Sequence, residues 1–263
     1  MYCKQEIFKI KIISITTFLY SMTEALYMND SYLKKWDAKV ISVKDDKYIV
    51  LDKTAFYPKG GGQPWDEGFI IKNGEKFKIV YVGKFSGEIS HEVEKPGLKE
   101  GDVVSCEIDW QRRYTYMRYH TACHLLSNLL YRRTNAKITG NQIELDKARM
   151  DFSMEDYSPE KLRTYVEEAN EIIKQDLPIT IETMSRAAVL EEPELARLAV
   201  GLPKNLQEFR IIKIGDIDKQ VDGGTHVKNL SEIGEIEMTK TVNKGKNNRR
   251  LYFILKVEEI HFN

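Results

Sequence analysis

The chain has 263 residues, 42% of them hydrophobic, a composition that buries a core in one large or two modest domains and belongs to a soluble globular protein. Forty basic residues balance forty acidic ones, so a nucleic-acid partner has to be held by a local patch rather than by overall charge. Three widely spaced cysteines, Cys3, Cys106 and Cys123, make no disulfide framework and point to a reducing cytoplasm.

Residues 1–21 are apolar with lysines at 4, 9 and 11, but the run from Ile12 to Tyr20 falls short of the ~20 residues of a membrane span and lacks a small-residue cleavage site. Met22-Thr23-Glu24-Ala25 resembles an ordinary protein start, so 1–21 are expected to be an upstream extension or loose tail, with no membrane partner. Between Trp36 and Asp109 the pattern predicts short alternating strands at Ala38–Val43, Tyr48–Leu51, Gly68–Ile71, Lys76–Val82, Glu88–Val93 and Val103–Ile108. Asn73-Gly74 and Pro96-Gly97 punctuate them, and residues 22–110 read as a small β-barrel-like or sandwich domain. After Trp110 the period changes. A long helix is predicted from about Gln111 to Arg132, strands near Lys137–Leu145 and Arg149–Phe152, and a helix from Pro159 through Lys174 with Ser158 as cap. Strand Ile179–Thr183, an irregular stretch over Met184–Pro203, and strands Phe209–Ile214, Glu232–Thr241 and Arg250–Val257 complete residues 111–263. The fold class is α+β, with helices packed on an antiparallel sheet in the second domain.

Two motifs stand out. On the predicted helix, His120 and His124 are four residues apart and share a face, with Cβ atoms about 5–6 Å apart. They are matched by Asp222-Gly223-Gly224-Thr225-His226. In a straight strand positions 222 and 226 would stand ~13 Å apart, so the paired glycines are expected to adopt positive φ and fold the chain back. Three imidazoles and a carboxylate are within zinc's ligand set. His91 and His261 lack such a context and read as structural, and Cys123, about 100° round the helix from His124, reads as a small packed residue.

The second motif is Phe56-Tyr57-Pro58-Lys59-Gly60-Gly61-Gly62-Gln63. Three successive glycines need a reason for bare backbone. One is an anion nest for a phosphate, with Lys59 beside it and Phe56 and Tyr57 as surfaces for a base; the other is a tight hairpin connection. It is not a Walker loop, since Gly-Lys-Ser/Thr is missing.

In this order the motifs resemble the free-standing alanyl-tRNA editing proteins of the AlaX family, similar to the editing domain of alanyl-tRNA synthetase, over roughly residues 36–257. The resemblance implies the medium-length form and a zinc-dependent hydrolase acting in trans on tRNA(Ala) mischarged with serine, and in some cases with glycine. It places the ligands at His120, His124 and His226. The family's fourth position is usually cysteine; here Asp222 stands, either as fourth ligand or as general base to a water. A pocket that hydrogen-bonds a serine hydroxyl discriminates strongly against alanine. Thr139, Gln142 and Thr225 are the candidates for that bond, with exposed strand positions the plainer reading of the first two.

For the RNA, the candidates beyond the glycine loop are Arg112, Arg113 and Arg118, the helix-end pair Arg132 and Arg133, and a basic hairpin with Lys240, Lys244, Lys246, Arg249 and Arg250. No obligate protein partner is evident. Two other readings remain: an editing hydrolase for another charged tRNA such as Ser-tRNA(Thr), and a catalytically inert RNA-binding module with structural zinc.

Overall fold

A computed structural model describes residues 23–155, 157–192, 195, 206–245 and 248–256. The expected tail at 1–21 lies outside the described residues, as do Lys246 and His261. From Glu24 the chain runs through β1 (Glu24–Ala25), β2 (Lys35–Lys44), β3 (Tyr48–Leu51), β4 (Lys53–Thr54), β5 (Gly68–Lys72), β6 (Glu75–Phe85), β7 (Glu88–Val93) and β8 (Val103–Ile108). Six of them close an antiparallel barrel in the order β2-β3-β7-β6-β5-β8. Closure decides between barrel and sandwich. It leaves no unpaired edge, and alternate residues such as Val104, Cys106 and Ile108 of β8 point inward. They pack with Val40, Ile49, Leu51, Ile70 and Phe77. Asn73 and Gly74 both take left-handed φ (49° and 82°), making the two-residue turn between β5 and β6.

The next element is α1 (Trp110–Thr134). Asp109 caps it by accepting from Arg112 N–H, and Asn135 ends it in the left-handed conformation with Arg132 and Arg133 in the last turn. Residues 116–126 of α1 are buried on every face, as in a helix that runs through a core. There follow β9 (Ile138–Ile143), β10 (Ala148–Phe152), α2 (Pro159–Ile173), β11 (Ile179–Ser185), α3 (Arg186–Glu191), β12 (Glu208–Ile214), β13 (Asp218–Val221), β14 (Glu235–Asn243) and β15 (Arg249–Lys256). Ser158 caps α2 and Pro159 opens it; Leu162, Val166, Ala169 and Ile173 form its buried stripe.

The strands of this half make two antiparallel sheets, β14-β15-β10-β9 and β11-β12-β13. One apolar cluster joins Leu125, Leu126 and Leu129 of α1, the stripe of α2, Met150 and Phe152 of β10, and Leu251 and Phe253 of β15. The strand expected from Glu232 begins at Glu235 instead, because Asn229 and Glu232 form a capping box over a 3₁₀ turn at Leu230–Ile233. β13 went unforeseen: its acidic, lysine-containing sequence carries no apolar alternation, and it forms by pairing with β12. Among the described residues no helix is long and apolar enough to cross a membrane.

Buried Arg113, on the first turn of α1, ties the two halves together. Its guanidinium grips Asp66 and donates to the Ser31 and Ala55 carbonyls, and Asp66 in turn accepts from Tyr57 N–H (2.7 Å). The base of the glycine loop is thus clamped to the helix that carries the two histidines.

Candidate metal centre

His120 and His124 sit one turn apart on α1 with ring centroids 5.1 Å apart, and His226 stands 4.5 and 4.6 Å from them. Asp222 faces all three rings. Its Oδ1 is 3.6 Å from His120 Nε2 and 3.9 Å from His124 Nε2, and its Oδ2 is 3.1 Å from His226 Nε2. One donor atom from each of the four residues lies within 4.8 Å of all the others. Four-coordinate zinc at ~2.0–2.2 Å sets its ligands ~3.4 Å apart, so the cluster is of the size that contracts onto a divalent ion.

The outer hydrogen bonds state which ring nitrogens are bare. Gln63 spends its amide N–H on Thr225 Oγ1 (2.9 Å), so its Oε1 accepts from His120 Nδ1 (2.8 Å). The Thr121 hydroxyl donates to the Met117 carbonyl (2.9 Å) and therefore accepts from His226 Nδ1 (3.1 Å). With Nδ1 protonated, each Nε2 turns a lone pair toward an anionic carboxylate. Lone pairs and a carboxylate pointing at one another repel unless a cation lies between them, and this donor set fits a metal ion. Burial pushes Asp222 up, and positive charge on His120, His226 and His124 would outweigh it and hold the carboxyl well below its ordinary value, so the site keeps Asp222 anionic only with a cation beside it. Burial also pushes all three imidazoles down, toward the neutral ligand form.

The turn that presents Asp222 and His226 follows β13 and is built differently from the expectation. Neither Gly223 nor Gly224 takes a positive φ. Gly224 is glycine because of close approach: a Cβ there would stand 2.0 Å from His120 Cε1 and 2.4 Å from Nδ1. Arg210 of β12 locks the turn, its Nη1 donating to the carbonyls of Asp222 and Gly224 (both 2.9 Å), and Gly224 N–H donates to Asp222 Oδ2. Arg210 carries no signal in a sequence pattern of alternating apolar residues.

The glycine loop is a docking device. Gly60 and Gln63 bond each other's backbone, Gly61 and Gly62 take φ of 56° and 81°, and the carbonyls of Gly61 and Gly62 accept from Asn141 Nδ2 and Ile143 N on β9. A Cβ on Gly62 would lie 2.1 Å from Asn141 Oδ1. The bare backbone is needed by the protein's own strand. Phe56, Tyr57 and Gln63 are buried, Phe56 between Trp36 and His91 and Tyr57 edge-on to Tyr27, so the expected base surfaces are taken up by the protein's own core; Lys59 is exposed.

A cavity of about 540 Å³ opens beside the four clustered His and Asp side chains, lined by Gly61, His120, His124, Asn141, Asp218 and Asp222 among others. Thr139 and Gln142 do not line it: both are exposed, and Gln142 is held by Arg149. The register shift between Asp151 and Phe152 leaves Thr139 as the unpaired extra residue of β9, and Ile138 and Asn141 face the cavity. Thr225 is fully buried against Gln63 rather than in the cavity lining. Cys123 does line it, with burial pushing its thiol up to about 12.

Of the basic candidates, Arg113 and Arg118 are buried in intramolecular bonds, Arg118 donating to the Glu232 and Ile233 carbonyls. Arg112 pairs with Glu67, and exposed Arg133 with Glu168. Arg249 is buried on Asn243 Oδ1 and nearby carbonyls, and Arg250 is engaged by both oxygens of Asp151. Arg132, Lys240 and Lys244 are exposed.

Residues 209–252, which contain Asp222 and His226, match the family described as the threonyl and alanyl tRNA synthetase second additional domain, and residues 13–112 match class II (A) tRNA synthetases. The alanyl-tRNA editing protein AlaX-M of Methanosarcina acetivorans is 46% identical over 89% of this chain and 99% of its own length. That of Saccharolobus solfataricus is 42% identical over 89% and 100%. The alanine–tRNA ligase of Pyrococcus abyssi is 40% identical over 83% of this chain but only 24% of its own length, as expected of a larger synthetase that carries a related unit. At this identity and coverage, with the histidines and the Gly-Gly-Thr-His turn joined in one site, the chain belongs to the AlaX family of alanyl-tRNA editing proteins.

Proposed function

We propose that this editing hydrolase deacylates Ser-tRNA(Ala), and Gly-tRNA(Ala) as a second substrate, at a zinc ion held by His120, His124, Asp222 and His226. The observation that carries the reading is the convergence of three imidazole Nε2 atoms on one carboxylate at the mouth of a cavity of about 540 Å³, a volume that suits an aminoacyl end. Zinc bound there supplies positive charge that polarises an ester carbonyl or acidifies a water. The chain's own residues do the rest. Gln63 and Thr121 keep His120 and His226 in the Nδ1–H tautomer, and Asp222, fixed by Arg210 and Gly224, neutralises part of the charge as fourth ligand. Asn141, held on the glycine loop, presents a polar group to the cavity wall where a serine hydroxyl can be paired.

In this reading the division falls near residue 110. Residues 22–110 are the barrel domain, and 111–263 the editing domain with helices on sheet. The barrel domain contributes Gln63 and the glycine loop to the site, and the protein works in the cytoplasm. Exposed Lys137 at the cavity edge and Lys240 and Lys244 on the β14–β15 hairpin supply phosphate contacts.

The test is deacylation of Ser-tRNA(Ala), Gly-tRNA(Ala) and Ser-tRNA(Thr) by wild type and His120→Ala, with and without a chelator. Turnover of the first two that is lost on chelation while the fold persists supports the reading. Preference for Ser-tRNA(Thr) would reassign the substrate, and RNA binding without turnover on any of the three would make the chain a binding module.

A further inference from the structure

Two of the three imidazoles have an outer partner and the third does not. His124 Nδ1 is buried without a hydrogen bond. The group it faces is Asp218 of β13, whose Oδ2 stands 3.9 Å away, about 1 Å beyond an N–H···O hydrogen bond. Asp218 is itself built into place. Its side chain is 4% exposed, its Oδ1 accepts from Asn128 Nδ2 (2.8 Å), one turn beyond His124 on α1, and its Oδ2 from Gln220 Nε2 (2.7 Å). The register Ile214↔Asp218 fixes the strand that presents it. The Lys219 backbone N–H is a third donor, and since a carboxylate accepts at about four sites, one is still open. Neutral amides satisfy hydrogen bonds but supply no charge, and an interior carboxylate without a positive partner is costly.

We propose that Asp218 is the outer positioning residue of the metal centre: in the metal-loaded protein its Oδ2 accepts the Nδ1–H of His124, completing a set in which Gln63, Thr121 and Asp218 each orient one ligand ring. This rests on the metal reading above but not on the substrate. It assigns the amides of Asn128 and Gln220 a purpose, which is to hold the carboxylate toward the helix. Metal binding draws positive charge onto the imidazole of His124, and that charge is the partner Asp218 lacks.

The test is zinc affinity of the full chain, read by competition with a chromogenic chelator after apo-protein preparation. Asp218→Ala is expected to bind zinc about 10–100-fold more weakly. Asp218→Asn, which keeps a carbonyl acceptor, is expected between Asp218→Ala and wild type. Asp218→Ala with a wild-type circular dichroism spectrum and zinc affinity within about threefold of wild type would overturn the proposal. Should both variants fail to fold, nitrogen-15 histidine spectra of the zinc-loaded wild type decide: a slowly exchanging proton on His124 Nδ1 supports the assignment, and a bare Nδ1 overturns it. Absence of zinc binding by wild type, by contrast, overturns the metal centre itself. Zinc binding lost in His120→Ala but untouched in Asp218→Ala overturns this inference alone.

Discussion

Gly224→Ala adds one methyl group at the tightest contact of the metal centre. Gly224 has no left-handed φ, so alanine meets no backbone objection there. The added Cβ would lie 2.0 Å from His120 Cε1, where carbon atoms in contact ordinarily stand ~3.5–4.0 Å apart. The ring cannot yield easily. His120 is 2% exposed, sits on a helix buried on every side, and is tied through Nδ1 to Gln63. Overpacking costs about 1–3 kcal/mol, and leaving the buried Nδ1–H or Gln63 Oε1 unpaired costs about 1–3 more, so a loss of about 2–6 kcal/mol is expected. Since a ligand itself is displaced, zinc affinity is expected to fall by at least about 100-fold. Gly223→Ala is the matched control: its Cβ would meet only Met28 Sδ, at 3.8 Å, and both quantities are expected near wild type. Urea unfolding and chelator competition measure them. Gly224→Ala within about 0.5 kcal/mol of wild type in stability, with zinc affinity within about threefold, would refute the close-approach argument.

Gly62→Ala combines a left-handed φ of 81° with a 2.1 Å approach to Asn141, and is expected to cost about 2–3 kcal/mol by denaturant unfolding. Arg113→Ala leaves buried Asp66 without its cation and is expected to destabilise by about 3–5 kcal/mol, read the same way; a loss under about 1 kcal/mol would show that the clamp contributes little. His91 gives a pH prediction. Burial lowers its pKa from 6.5 to about 4, so between those values the unfolded chain binds a proton that the folded protein does not. Stability therefore falls as pH drops through that window, by about 3 kcal/mol from this group. His91→Gln should flatten the acid limb of stability against pH by that amount, and an unchanged limb would exclude His91 as its source. In tRNA binding, Lys137→Ala and Lys244→Ala should each weaken affinity and reduce the salt slope by about 1, while Arg250→Ala, already engaged by Asp151, should change the slope less.

What the sequence determined by itself was whatever depends on local periodicity and local chemistry. The barrel strands come from alternation, α1 and α2 from their apolar spacing and from Asp109 and Ser158 as caps, and the pairing of His120 with His124 from the pitch of a helix. Family membership was legible in motifs that survive as short strings. Whatever depends on which surfaces meet came instead from the packing of segments remote in sequence. The glycines at 60–62 and at 224 looked like sites of unusual φ or ligand approach, and their partners proved to be β9 and the His120 ring. Arg210, Asp218 and Asn141 are polar residues whose sequence surroundings differ in no way from those of exposed ones, and Gln63, though it closes the glycine motif, gives no local sign that it meets His120. They matter because chain segments far apart in sequence bring them to the metal cluster or its cavity. The apparent phosphate binders Arg113, Arg118 and Arg249 were turned inward by carbonyls and carboxylates that no local pattern announces. A charge's role is set by its nearest partner in space, and that partner is a property of the fold.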